Sequence, residues 1–321
     1  MFVLLSLKLN FRKCNPSITM KILLTGAKGQ VGWEVSRQAA AYDLDVIATY
    51  SSTLDITDVE AVRTCVAANN PDIVINCAAY TAVDKAETDE ATAHAVNALG
   101  PENLGLIAAE NNIPVLHIST DYVFDGNAST AYKEDAKAAP TGAYGRTKLA
   151  GERLLADANP HHITLRTSWV FGIEGNNFVK TMLRIGAAND EISVVADQFG
   201  CPTFAGNIAR ALLALTKQYQ QKGELAWGTY HFCDSGTTTW HMFASTILAI
   251  AEEQGVMKRA AKVKPILTAD FPTPAARPKY SVMDTTAFST HFPTIGISSW
   301  ETSLREVLTT LNKDWNRVCV F

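Results

Sequence analysis

The sequence contains no Cys-x-x-Cys pair, although six cysteines (Cys14, Cys65, Cys77, Cys201, Cys233 and Cys319) are scattered through its 321 residues. That distribution fits neither a disulfide framework nor a zinc site and points to a reducing compartment, the cytoplasm. Blocks of like charge are also missing. With 19% of residues charged and a net charge of −4, there is no electrostatic footprint for nucleic acid or an anionic membrane, and a small-molecule partner is the expectation. Of seven histidines only His161 and His162 adjoin, and chain neighbours point in different directions, so no metal-binding residue is assigned. The apolar opening, Met1 to Leu7, is too short to span a bilayer and is interrupted by Lys8, Arg12 and Lys13, whereas a signal peptide carries its charge first. Residues 1–19 are read as a disordered extension or a start placed too early, with Met20 as the natural beginning.

What is present is a repeating pattern. The chain is 47% hydrophobic, enough for a full core. From Lys21 short apolar runs (Ile22–Leu24, Val46–Ala48, Ile73–Asn76, Val115–Ile118, Ile163–Arg166) alternate with segments of helical periodicity (Val31–Ala41, Asp58–Asn69, Ala91–Asn111, Tyr144–Ala156). Short continuous runs read as parallel strands buried on both faces, so the fold class is α/β, a doubly wound parallel sheet of the Rossmann type. Beyond Arg166 the alternation breaks into a Gly/Asn-rich loop (172–177), a strand at Ile192–Val195, a strand at Tyr230–Phe232 leading into a Thr-capped helix, and a Pro-rich loop at 272–278. Residues 20–168 are expected to form the dinucleotide-binding domain. Residues 169–321 are expected to form mainly a smaller substrate-binding lobe, with segments returning to the first domain.

The strongest local signal is Thr25-Gly-Ala-Lys-Gly-Gln-Val-Gly32, where Gly26, Gly29 and Gly32 lie between the first strand and the first helix. Glycines permit the tight turn and let a pyrophosphate approach backbone N–H groups at a helix N-terminus. The second strand ends in Ala48-Thr-Tyr-Ser-Ser52, with no Asp or Glu to hold a ribose 2′-hydroxyl. That absence favours NADPH and leaves NADH open, since no Arg stands there either. Asp55 could receive the adenine amino group or merely form a turn or helix cap. Asn76-Cys-Ala-Ala-Tyr-Thr81 ends a strand at the carboxyl edge of the sheet, where small residues would let a cofactor lie close.

At the same edge Ser119-Thr-Asp-Tyr122 ends another strand, and Tyr144 and Lys148 open the next helix, four apart and so on one face. An ammonium near a phenol stabilises phenolate and lowers a pKa that is ordinarily about 10. In a carbonyl reduction Tyr144 would protonate the oxygen as hydride arrives, Thr120 would hydrogen-bond it, and Lys148 would hold the nicotinamide ribose. Tyr-x-x-x-Lys alone recurs by chance on amphipathic helices. Its weight comes from the glycine loop and the strand-end Thr120.

With these motifs the sequence resembles the extended short-chain dehydrogenase/reductases, and among them the dTDP-4-dehydrorhamnose reductases. The resemblance runs from Met20 to Pro278 and includes Ala78–Glu87, Ser119–Gly126, Tyr144–Glu152, Arg166–Gly172, Gly175–Phe178, Asp197–Thr203 and Pro274–Pro278. It implies reduction of the 4-keto group of dTDP-4-dehydro-β-L-rhamnose with NADPH or NADH. It implies cofactor contacts from Gly29, Gln30, Val31, Asp55, Ile56, Ala79, Tyr80 and Thr81, with Tyr144 as proton donor and Lys148 as its partner. Thr120, Asp121 and Trp169 would meet the sugar, although Trp169 by itself reads as packing. Arg277 would either pair with the substrate diphosphate or form a salt bridge. The resemblance also raises a homodimer around a magnesium ion, for which no carboxylates can be named. Two rivals remain: a nucleotide-sugar epimerase or reductase of the same fold, and a non-catalytic subunit related to the partner of methionine adenosyltransferase.

Overall fold

The computed structural model describes residues 19–318, so the expected N-terminal extension, with Cys14, and also Cys319, fall outside the described residues except for Thr19. Six parallel strands form the central sheet: β1 (Met20–Thr25), β2 (Leu44–Ala48), β3 (Ile73–Asn76), β4 (Val115–Thr120), β5 (His162–Thr167) and, from far along the chain, Gly228–His231. Their spatial order is β2, β1, β3, β4, β5 and then the late strand. The order reverses between β1 and β3, and ligands of such sheets bind at that switch point, at the carboxyl ends of the strands.

Alternation within each strand explains the continuous apolar runs. Ile22, Leu24, Ile73, Ile75 and Leu116 face one layer, formed by helix α1 (Gln30–Gln38) and the helix Ala205–Lys222. Leu23, Val74 and Val115 face the other, formed by α2 (Val59–Asn69) and helices Gly100–Glu110 and Ala143–Ala158. A sheet covered on both sides has no polar face to alternate with. The chain after residue 168 therefore divides. Residues 205–231 complete the sheet and its first layer, while Phe171, Val179, Ile192, Phe243 and Leu304 gather in a separate core, with strand Glu191–Val195 paired to Lys262–Ile266.

One helical segment differs from its periodic reading. Residues 91–111 are not one regular helix but Glu90–His94, a π-turn at Ala95–Leu99 and Gly100–Glu110. The wider turn contains Asn97, which is fully buried and bonded to the strand-end segment at Tyr80. Such insertions concentrate at functional sites. Thr239 caps helix Trp240–Glu253 as the sequence led one to expect, its hydroxyl accepting from the Met242 N–H at 3.1 Å. No helix among the described residues is long and apolar enough to cross a membrane.

Candidate active site

The glycine loop is built for close approach. Gly26 has φ +69°, and a Cβ on it would stand 2.5 Å from the backbone nitrogen of Ala78 at the end of β3. A Cβ on Gly32 would meet the Gly26 carbonyl oxygen at 2.3 Å, so the first turn of α1 can fold tightly onto the loop. Gly29 is the N-cap residue of α1 and supplies no side-chain cap, which leaves N–H groups of the first turn, among them Gln30 and Val31, for an anionic ligand. This cradle fits a dinucleotide diphosphate. The Gln30 side chain turns away and accepts from Asn177 Nδ2 at 3.1 Å, tying the glycine loop to the Gly172–Asn177 loop.

At the end of β2 Thr49 donates its hydroxyl to the Leu24 carbonyl, so Ser51 and Ser52 remain the hydroxyls open to a ligand. The cation missing from this strand end comes from the glycine loop. Lys28 Nζ lies 4.5 Å from the Tyr50 ring centroid, and the Ala27 N–H donates to Thr49 O at 3.1 Å. Asp55 forms a turn, accepting from the N–H and hydroxyl of Thr57, while Asp58 caps α2. Ile56 is buried against the position that Gly100 leaves open. Ala79, Tyr80 and Thr81 follow β3, and Asn97 clamps Tyr80 by both its N–H (2.8 Å) and its carbonyl (3.1 Å) while donating to Thr147 on helix Ala143–Ala158 (3.2 Å).

That helix carries Tyr144 and Lys148. Glu87 Oε1 accepts from the Ala143 N–H at 2.8 Å at its N-terminus, and Gly145 lets it lie on the turn after β4, where a Cβ would come within 2.1 Å of Tyr122 O. Tyr144 meets Tyr122 edge-on with ring centroids 5.5 Å apart. Burial raises the Tyr144 pKa, as does the Asp121 carboxylate, while a hydrogen bond with Thr120 works the other way. The expected lowering by Lys148 is absent. Lys148 is 2% exposed and its Nζ is engaged by the neighbouring strand, donating to Ile118 O at 2.7 Å and lying 3.3 Å from His117 Nε2. Burial draws the lysine down to about 8.

Thr120 and Asp121 are buried side by side at the end of β4. Thr120 Oγ1 donates to Asp121 Oδ1 at 3.0 Å; the second oxygen, Oδ2, is buried without a partner among the described residues. Burial pushes the carboxyl up to about 6. Trp169 has φ +47° and stacks on Trp240, with centroids 3.6 Å apart and planes 8° from parallel. Gly200 makes the stack possible, since a Cβ there would stand 2.4 Å from the Trp169 indole. Both readings of Trp169 thus stay compatible with its place: it packs on one face and remains partly exposed. Arg277 takes the salt-bridge alternative, its Nη2 lying 2.7 Å from Asp84 Oδ2, and Asp84 Oδ1 also accepts from the Ala275 N–H. Among the described residues no group of three or more His, Cys, Asp or Glu side chains is placed to hold a metal ion.

Sequence reasoning singled out neither Lys28, Asn97 nor His117. Lys28 sits inside a motif read for its glycines. Asn97 and His117 lie in helix and strand patterns whose polar members carry no local mark, and only their complete burial sets them apart.

Residues 20–313 match the family model described as RmlD substrate binding domain. A dTDP-4-dehydrorhamnose reductase of Aggregatibacter actinomycetemcomitans is 41% identical over 288 residues, 89% of this chain and 98% of the relative. Among solved structures, a dTDP-4-dehydrorhamnose reductase from Clostridium acetobutylicum superposes with a TM-score of 0.83 at 40% identity, covering 91% of this chain and 99% of that one. The enzyme of the same description from Bacillus anthracis, solved in complex with NADP, gives a TM-score of 0.82 at 34% identity, covering 91% and 100%. With a matching model across nearly the whole described chain and relatives of this identity and coverage, the chain belongs to the RmlD substrate-binding-domain family, that of the dTDP-4-dehydrorhamnose reductases.

Proposed function

We propose that this protein reduces the 4-keto group of dTDP-4-dehydro-β-L-rhamnose to give dTDP-L-rhamnose, the last step in making that sugar nucleotide, with NADPH as reductant and NADH as an alternative. The observation that carries the reading is the meeting of a dinucleotide cradle with Thr120 and Tyr144 at one sheet edge, in a chain of this family. Gly26, Gly29, Gln30, Val31 and Gly32 would receive the diphosphate, and Ala79, Tyr80 and Thr81 would flank the cofactor. Lys28 and Tyr50 offer a cation and a ring face where a 2′-phosphate would need one, which supports NADPH. The bound cofactor supplies the hydride.

The protein's share is the proton and the oxygen. Tyr144 stays a neutral phenol at working pH because burial and Asp121 disfavour phenolate, which suits it to donate. Thr120 would steady the carbonyl oxygen by turning its one hydroxyl proton from Asp121 to it, and Lys148 would turn its Nζ from Ile118 O to hold the nicotinamide ribose and restore the phenol's proton. Asp121, with one oxygen unpaired among the described residues, would accept a sugar hydroxyl, and the exposed part of Trp169 would flank the ring. The non-catalytic reading has nothing to explain why Thr120, Tyr144 and Lys148 occur together.

The test is stoichiometry. Purified protein given the dTDP-4-keto sugar should oxidise one NADPH for each sugar reduced; conversion of a nucleotide sugar with no net cofactor change would instead identify an epimerase, and no oxidation with either cofactor would end the reductase reading.

A further inference from the structure

Beneath Lys148 lies a row of buried polar groups that the proposed reduction leaves without a task. Thr25 on β1, Asn76 on β3 and His117 on β4 stand on three adjacent strands, each no more than 1% exposed. Thr25 Oγ1 donates to Asn76 Oδ1 at 2.6 Å, and the Ala78 N–H donates to the same oxygen at 3.1 Å. Asn76 Nδ2 lies 3.0 Å from His117 Nδ1, and His117 Nε2 lies 3.3 Å from Lys148 Nζ.

The directions of the bonds from Ala78 and Thr25 as far as His117 Nδ1 follow from the groups themselves. A backbone N–H can only donate, so the Asn76 amide turns its oxygen to Ala78 and its NH2 to His117. An amide NH2 also only donates, so His117 Nδ1 presents its lone pair and the neutral ring carries its proton on Nε2. A charged imidazolium would set two donors against each other at Nδ1, and burial too holds His117 well below its ordinary pKa. The Nε2–H therefore faces Lys148 Nζ. An ammonium has three donors and no acceptor; only the neutral amine can receive that N–H.

We propose that His117, with its tautomer set by Asn76 and Thr25, is a positioning residue for Lys148 that favours the neutral amine and so sets the pH at which the lysine exchanges its proton. The proposal rests on the reading of Tyr144 and Lys148 as the catalytic pair. When the Tyr144 phenol has given its proton to the carbonyl oxygen, the Lys148 ammonium passes one to the phenolate, and the amine left behind accepts from His117 Nε2–H. An ordinary lysine, near 10.4, would release that proton less readily. The other titratable groups acting on the lysine are Glu152 on its own helix and Cys77 after β3, while His162 on β5 acts on His117. The Cys77 thiol is pushed up to about 12 by burial and stays neutral, and Glu152 is held by Arg166 at 2.6 Å, so Glu152 is the charge that opposes His117.

Two measurements test this. Long-range 1H–15N correlation spectra of histidine-labelled protein should show His117 as the neutral Nε2–H tautomer, unchanged between about pH 6 and 9. An Nδ1–H ring, or one that titrates in that range, overturns the proposal. Second, Asn76→Asp places a carboxylate against Nδ1 and should reverse the tautomer, turning a lone pair toward Lys148. The alkaline limb of kcat/KM should then rise by about one pH unit, and by less than half of that in the His117→Phe background, where only the added charge acts. An equal rise in both backgrounds overturns the proposal. Loss of all turnover in the wild-type protein would count against the reductase reading instead, with the spectrum still deciding the tautomer.

Discussion

Gly145→Ala should weaken this protein although it improves the helix. In an exposed helix the change gains about 1 kcal/mol. Here the new Cβ would stand 2.1 Å from Tyr122 O and 2.9 Å from Pro140 Cβ, where ordinary contact begins at 3.4 Å. The helix must therefore retreat by more than 1 Å from the turn that follows Thr120 and Asp121. Overpacking of this kind costs about 1–3 kcal/mol, which cancels the propensity gain and leaves a net loss of up to about 2 kcal/mol. The larger effect falls on geometry, because Tyr144 moves with the helix while Thr120 stays with β4. A misplacement of about 1 Å costs on the order of 10²-fold in rate. Urea unfolding and steady-state kinetics on Gly145→Ala and on Gly296→Ala, where a Cβ meets nothing within 4 Å, would measure both effects. A Gly145→Ala protein that is more stable and turns over within a few-fold of the parent would refute the packing argument.

Asp121→Asn should separate stability from function. The folded-state pKa of Asp121, about 6, lies above its unfolded value, so the stability it contributes is complete at about pH 4 and below and is lost as pH rises through about 6. The variant should therefore melt higher at pH 8, by no more than about 3 kcal/mol, match the parent at pH 4, and lose turnover; equal melting at both pH values would show that the carboxyl is not strained. Asn97→Ala removes both bonds to Tyr80 and the bond to Thr147, and should cost about 2–4 kcal/mol in denaturant midpoint while raising the cofactor KM more than the sugar KM. Arg166→Ala leaves the Glu152 carboxylate buried without its bidentate partner and should destabilise by about 3–5 kcal/mol, with urea unfolding as the readout; a loss below about 1 kcal/mol would mean that water or Lys148 replaces the guanidinium.

The elements most legible in the sequence were those whose physics is local. Ile22–Leu24 and Ile73–Asn76 announced strands covered on both faces, and Gly26, Gly29 and Gly32 announced a close approach that the positive φ of Gly26 and the clash at Gly32 explain. What could not be read were relations between distant segments. Nothing near Gly228–His231 says that it closes the sheet beside β5, because register is decided by the neighbour. The pull on Lys148 was misjudged for the same reason. Spacing on one helix placed it with Tyr144, while the acceptors that turn it downward, Ile118 O and His117, belong to another strand. Arg277 found Asp84 across 193 positions of chain, a pairing that spacing cannot suggest.

In the proposed reaction Tyr144 gives the proton that completes carbonyl reduction. The most direct test of this role compares the parent and Tyr144→Phe with the dTDP-4-keto sugar, following nicotinamide absorbance under single-turnover conditions. Removing only the hydroxyl should leave cofactor binding and melting temperature near those of the parent and slow the chemical step by about 10²–10⁴-fold. A variant that reduces the sugar within a few-fold of the parent rate would contradict the assignment and move the proton donor elsewhere in the cleft.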